Sequence, residues 1–219
     1  MRALIVFYSR TGMTRKAADT LSKILKADVE EIVDKKNRKG LFGYLRSGRE
    51  AALRIPAWID KPKNDASLYD TIIIGTPVWA SNMSSPVRAY IEENLAKFKK
   101  VAFFCTMGGS GNQNIFYSMQ ELCGKKPVAV VTLRKREIKK DYYQHKLEGF
   151  AEEIVKAEGA VKDANQQEVK AQPRAETETR QKEKLQQGPK AKAKSKAKHK
   201  SQPKGKKKKP RSRPKSRKK

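Results

Sequence analysis

The chain of 219 residues carries 51 Lys+Arg against 23 Asp+Glu, a formal net charge of +28. Its two cysteines, Cys105 and Cys123, exclude a disulfide framework and offer no metal-ligand spacing, so buried reduced thiols are expected. The opening apolar run "ALIVFY" is too short for a signal-peptide core or a membrane span, which points to a soluble, reducing, cytoplasmic setting.

The charge is unevenly placed. Residues 1–160 hold 28 basic and 18 acidic side chains, and residues 161–219 hold 23 and 5, with no acid after Glu183 and no aromatic after Phe150. A globular domain over 1–160, long enough to bury a core, and a basic tail over 161–219 are therefore expected. Low-complexity "AKAKSKAKHKSQPKGKKKKPRSRPKSRKK" cannot bury enough apolar surface to offset ordering entropy, so the tail is expected to be disordered.

In chain order, "RALIVFY" (2–8) has the continuous apolar character of a strand buried on both faces. Residues 14–27 follow with apolar positions at helical spacing, and "DVEEIVD" (28–34) alternates as a more exposed strand. Segment 38–59, "RKGLFGYLRSGREAALRIPAWI", occupies the place of a crossover helix but mixes glycines, arginines and Phe42, Tyr44 and Trp58; it reads as a helical lid or a partner surface. A third strand precedes Gly75, and a helix over 84–95 is expected with Ser85 as N-cap and Pro86 at its first position. "KVAFFCT" (100–106) and "PVAVVTL" (127–133) are further buried strands, with helices over 112–123 and 140–157. Strands alternating with helices define an α/β fold with a five-stranded parallel sheet.

Ligands of open α/β sheets bind outside the carboxyl ends of the strands, so three loops carry the candidate chemistry. The first is Ser9-Arg10-Thr11-Gly12-Met13-Thr14, the second Thr76-Pro77-Val78-Trp79-Ala80, and the third Met107-Gly108-Gly109 within "TMGGSGN". Hydroxyls beside a helix amino end, with Gly12 allowing close backbone approach, suit an anion. No GxxxxGK[ST] and no GxGxxG occurs, so neutral donors for a monophosphate are a better reading than a triphosphate site. His145 and His199 lie away from these loops and read as surface residues, and no Ser-His-Asp or metal constellation is present.

S-x-T-G-x-T directly after the first strand, together with "GTPVWASNMSSPVRAYI", resembles the two flavin-flanking loops of the flavodoxin-like FMN proteins, and the likeness spans 1 to about 157. The resemblance implies the doubly wound strand order 2-1-3-4-5 with helices on both faces and FMN at the switch point. It implies that Ser9 to Thr14 hold the FMN phosphate and that Thr76 to Ala80 line the isoalloxazine, with Trp79 against the ring. Backbone groups of Met107 to Gly109 would meet its other side. The third loop lacks the tyrosine that many flavodoxins place on the second flavin face, and segment 38–59 could supply that cover. Flavin-based electron transfer is the expected role, with an FMN-dependent NAD(P)H/quinone-type oxidoreductase or a nucleic-acid-tethered domain as alternatives. A redox partner protein, acidic given the basic domain, or a small-molecule electron acceptor is implied. Residues 184–219, with 18 basic side chains, no acid and no interleaved aromatic, are expected to attract polyanions such as nucleic acid without sequence preference.

Overall fold

The computed structural model of the chain describes residues 1–38, 40–109 and 114–160. The expected tail over 161–219 and positions 110–113 of the third loop lie outside the described residues.

Five parallel strands form the sheet: β1 (Ala3–Phe7), β2 (Asp28–Glu31), β3 (Thr71–Trp79), β5 (Lys100–Met107) and β6 (Val130–Arg134). Their order, β2-β1-β3-β5-β6, reverses direction of travel between β1 and β3, as expected for a doubly wound sheet. The sheet gains one strand that the sequence pattern does not announce, β4 (Asn82–Met83), which folds back antiparallel on β3. The hairpin turn places Ala80 and Ser81 at φ 45° and 59°, the positive-φ pair of a type I′ turn without its usual glycine.

Strand β3 also runs four residues past Gly75, where the sequence reading ends it. Gly75 does not break the strand; a Cβ there would lie 2.1 Å from Phe104 Cζ, so the glycine is what lets the ring of the neighbouring strand lie over β3. This extension carries Pro77 to Trp79 to the edge of the cleft described below.

Alternate residues of each strand face opposite sides. Ile5, Phe7, Ile73 and Phe104 pack with Ala17 and Leu21 of α1 (Met13–Leu25) and with Leu147, Phe150 and Ile154 of the closing helix over 144–160. Leu4, Val6, Ile72, Ile74 and Phe103 pack on the other side with Val87 and Ile91 of α3 (Ser85–Asn94) and Ile115 and Met119 of α4 (Ile115–Cys123). Both sheet faces are thus covered, which explains the unbroken apolar runs. Helix α3 begins one residue earlier than expected. Ser84 is the N-cap, and its hydroxyl lies 3.2 Å from Thr76 Oγ1, while Ser85 is the first helical residue. The expected final helix over 140–157 begins later and runs over 144–160; ahead of it lies a short α5 (Lys135–Lys139) that the sequence pattern does not announce, with Asp141 at φ 59° between the two. Segment 38–59 supplies α2 (Gly40–Ala52), whose inward face consists of the small residues Gly43, Ser47 and Ala51.

Candidate functional site

The carboxyl ends of β1, β3, β5 and β6 open onto one cleft of about 330 Å³, at the lower end of the roughly 300–1,000 Å³ of small-molecule sites. Arg10, Thr11 and Met13 line it from the first loop, Pro77, Val78 and Trp79 from β3, and Met107 and Gly108 from the third loop. Ser9, Gly12, Thr14, Thr76, Ala80 and Gly109 stand outside that lining, although all belong to the same three loops.

The first loop is arranged for an anion. Helix α1 begins at Met13 behind Gly12, which sits at φ 83° and places no side chain in the space before the helix. No side chain caps this amino end and no acid occupies its first turn, so its outward backbone N–H groups are donors at the positive end of the helix dipole. Four residues upstream, the Ser9 hydroxyl is buried with no hydrogen-bond partner among the described residues. A buried hydroxyl left unpaired is costly, and here it belongs to a loop whose residues Arg10, Thr11 and Met13 line the cleft. The donor set fits a phosphate-like group.

Thr14 and Thr106 join two of the loops, their buried hydroxyls 2.8 Å apart. Thr76 is also buried, and its Oγ1 accepts the Ser84 N–H at 3.0 Å, fixing the start of α3 against the end of β3. These two threonines therefore hold the loops in register. Among the cations around the first loop, Arg15 pairs with Glu31 and Lys16 with Asp141, whereas Arg10 lines the cleft and lies 5.1 Å above the Tyr44 ring.

Trp79 is 9 % exposed. Its ring meets Tyr8 edge-on at 5.5 Å and has the Arg38 guanidinium 5.4 Å from its centre. Arg38 is itself buried and ion-paired to Asp34 and, at 2.7 Å, to Glu50 of α2. Burial alone would lower the Arg38 pKa, but the hydrogen bonds to Asp34 and Glu50 outweigh it and raise the value. Desolvation, with Asp34 adding to it, raises the Tyr8 pKa. The wall behind Trp79 is thus a buried, ion-paired cluster rather than an apolar one.

Three lining residues lay outside the residues singled out for the site. Lys135 follows β6, so the rule that points to the carboxyl ends of the other strands reaches it too; Thr106 is the last-but-one residue of β5. Tyr44 comes from α2, and its place on the wall depends on how that helix packs, which no local pattern encodes. Phe42 and Trp58, the other aromatics of the segment, do not line the cleft.

A doubly wound sheet with an anion-ready loop at its switch point, flanked by an aromatic wall, defines a mononucleotide-binding type of α/β domain. The chain belongs to the flavodoxin family, whose sequence model, described as Flavodoxin, matches residues 2–149. No curated protein is a significant match. Among solved structures, a flavoprotein from Lactobacillus acidophilus NCFM in complex with FMN is 21% identical with a TM-score of 0.52, covering 64% of this chain and 97% of its own. A protein described as a flavoprotein from Bacteroides eggerthii DSM 20697 is 20% identical with a TM-score of 0.56, covering 68% and 98%. One from Bacteroides uniformis ATCC 8492 gives 20% and 0.56, covering 69% and 97%. At these identities the likeness is one of fold. Among the described residues no helix is long and apolar enough to cross a membrane, and no group of His, Cys, Asp or Glu could hold a metal ion.

Proposed function

We propose that this chain binds FMN in the cleft and works as a redox flavoprotein that transfers electrons. The observation that carries the reading is the uncapped amino end of α1 with the partnerless Ser9 hydroxyl beside it, a neutral donor set matched to a phosphate monoester. Family membership supports it, as does the FMN complex of the Lactobacillus acidophilus neighbour.

In this assignment Ser9, Arg10, Thr11, Gly12, Met13 and Thr14 form the phosphate loop. Ser9 and Thr11 offer hydroxyls, Gly12 gives backbone access, and Thr14 holds the loop to Thr106. Arg10 within the loop and Lys135 after β6 supply positive charge beside its neutral donors. Thr76, Pro77, Val78, Trp79 and Ala80 form one wall of the ring site, and Met107, Gly108 and Gly109 another. Tyr44 is placed to cover the face that the third loop leaves without an aromatic. FMN, when bound, supplies one- and two-electron redox chemistry, and the protein supplies orientation, exclusion of water and electrostatics.

Among the described residues no acid lines the cleft, while Arg10 and Lys135 do. That rim favours an acidic redox partner over a basic one. The two free, buried cysteines agree with a reducing, cytoplasmic setting.

Titrating FMN into the flavin-free protein tests the reading: flavin fluorescence is quenched and its visible absorbance shifts at one-to-one stoichiometry. Absence of both changes with folded protein overturns it. A reductive titration then separates the roles, since two well-spaced potentials support a carrier and steady NAD(P)H turnover with a quinone supports a reductase.

A further inference from the structure

Helix α2 is built inside out. Its buried face holds Gly43, Ser47 and Ala51, while Leu41, Phe42 and Leu45 stand 71 %, 88 % and 59 % exposed. Leu41 and Leu45 share one face by their i, i+4 spacing. Phe42 lies on the adjoining face with Arg46 and Arg49, both exposed and neither ion-paired among the described residues. A surface helix ordinarily turns such side chains to the core. Here the core side is taken by the Arg38–Glu50 pair, which needs small neighbours, so the large apolar residues are directed outward.

We infer that this face of α2 docks on an anionic lipid surface, with Leu41, Phe42 and Leu45 entering the interface and Arg46 and Arg49 meeting lipid phosphates. Charge decides the occupant. Residues 35–63 hold nine basic and two acidic side chains, and Glu50, one of the two acids, is engaged by Arg38. A second copy of the chain packed isologously on this face would set arginine against arginine. Nucleic acid would satisfy the arginines but gains little from exposed leucines, whereas a lipid interface rewards both. Stable peripheral anchoring takes two signals, an apolar insertion and a polybasic one. The chain's further 18 basic residues over 184–219 add to the second. The inference stands apart from the flavin assignment.

The test is flotation of the full chain with vesicles of phosphatidylglycerol and phosphatidylcholine, beside vesicles of phosphatidylcholine alone. The chain is expected to float with the first and stay down with the second. Leu41→Ser/Phe42→Ser should lose binding on the order of tenfold, and Arg46→Gln/Arg49→Gln roughly fivefold per arginine. Phe42→Trp keeps the apolar character and reports insertion, its emission shifting to the blue only on the anionic vesicles. Wild-type binding by the Leu41→Ser/Phe42→Ser protein, an unshifted Phe42→Trp emission, or no binding of the parent chain overturns the proposal. So does a dimer in sedimentation that Leu41→Ser/Phe42→Ser converts to monomer, which would assign the face to a second copy. Leu41, Phe42, Arg46 and Arg49, the residues substituted, do not line the cleft, so a failed flotation leaves the flavin titration unaffected.

Discussion

The Arg38 guanidinium serves two acids and one aromatic ring at once: it pairs with Asp34 and Glu50 and lies 5.4 Å from the centre of Trp79. Buried ion pairs add little net stability, but removing one partner strands the others in a low-dielectric setting. Arg38→Met should therefore cost about 3–5 kcal/mol, read as a lower urea midpoint with an unchanged slope. Lysine cannot reproduce the fork that reaches both carboxylates, so Arg38→Lys should recover only part of this loss. On a Trp58→Phe background, emission from Trp79 should change in both variants. A midpoint within about 1 kcal/mol of the parent would show the cluster to be passive.

Ser9 offers the opposite separation of stability from binding. Its hydroxyl is buried without a partner, so Ser9→Ala removes an unmet hydrogen-bonding group and should leave the flavin-free protein as stable as before or more so. If that hydroxyl serves an FMN phosphate, the same change removes a hydrogen bond to a charged group. The loss is about 1.5–3 kcal/mol, roughly ten- to a hundredfold in Kd. Thermal unfolding without FMN and fluorescence titration with it give the two readings. A destabilised protein with unchanged FMN affinity would place Ser9 in the scaffold instead.

The sheet was legible because its strands are buried on both faces and read as continuous apolar runs, and the donor-rich turn before α1, the proposed phosphate loop, was legible because it lies within six residues of chain. What escaped was set at a distance. Gly75 reads locally as a strand end, yet it is a mid-strand glycine because Phe104 comes from another strand. Ser85 looks like the cap before Pro86, but the N-cap is Ser84, beside Thr76 eight residues back. Arg38 is indistinguishable in sequence from the solvated arginines around it; only the packing of α2 makes it a buried partner of Trp79. Tyr44 reaches the cleft through the same long-range packing, whereas Lys135 directly follows β6 and falls under the strand-end rule.

The two thiols set an alkaline limit on stability. Burial pushes Cys105 up to about 11, against a small opposing effect of Thr132, and Cys123 up to about 12, from a starting value of 9.0. A group with a raised folded pKa contributes stability that is intact below the unfolded value and lost as pH climbs toward the folded one. Stability should hold up to about pH 9 and then fall by about 1.4 kcal/mol per pH unit for each thiol until pH 11–12. Burial raises Tyr90 as well, so it steepens the same decline from its ordinary value of 10.0 upward. Urea midpoints across this range check the slope, and Cys123→Ala should flatten it while lowering the plateau. A slope unaffected by either cysteine substitution would assign the alkaline loss to other groups.

Gly75 and Phe104 provide the sharpest packing test. A methyl group at 75 would sit 2.1 Å from Phe104 Cζ, with Cε1 and Cε2 at 2.5 and 2.7 Å, so the ring or the strand must move. Both residues lie in the middle of the sheet, paired through register Gly75↔Phe104 between β3 and β5, which leaves little room for either to give. Gly75→Ala should cost about 1–3 kcal/mol through overpacking. Phe104→Leu should also destabilise, by removing ring contacts from the face shared with Ile5, Ile73 and α1. Combined, the two changes should cost less than their sum by about 0.5–3 kcal/mol, because the smaller side chain vacates the space that the methyl needs. Additive losses in chemical denaturation would mean that the ring already swings clear, and that Gly75 is held for the passage of β3 toward the cleft rather than for Phe104.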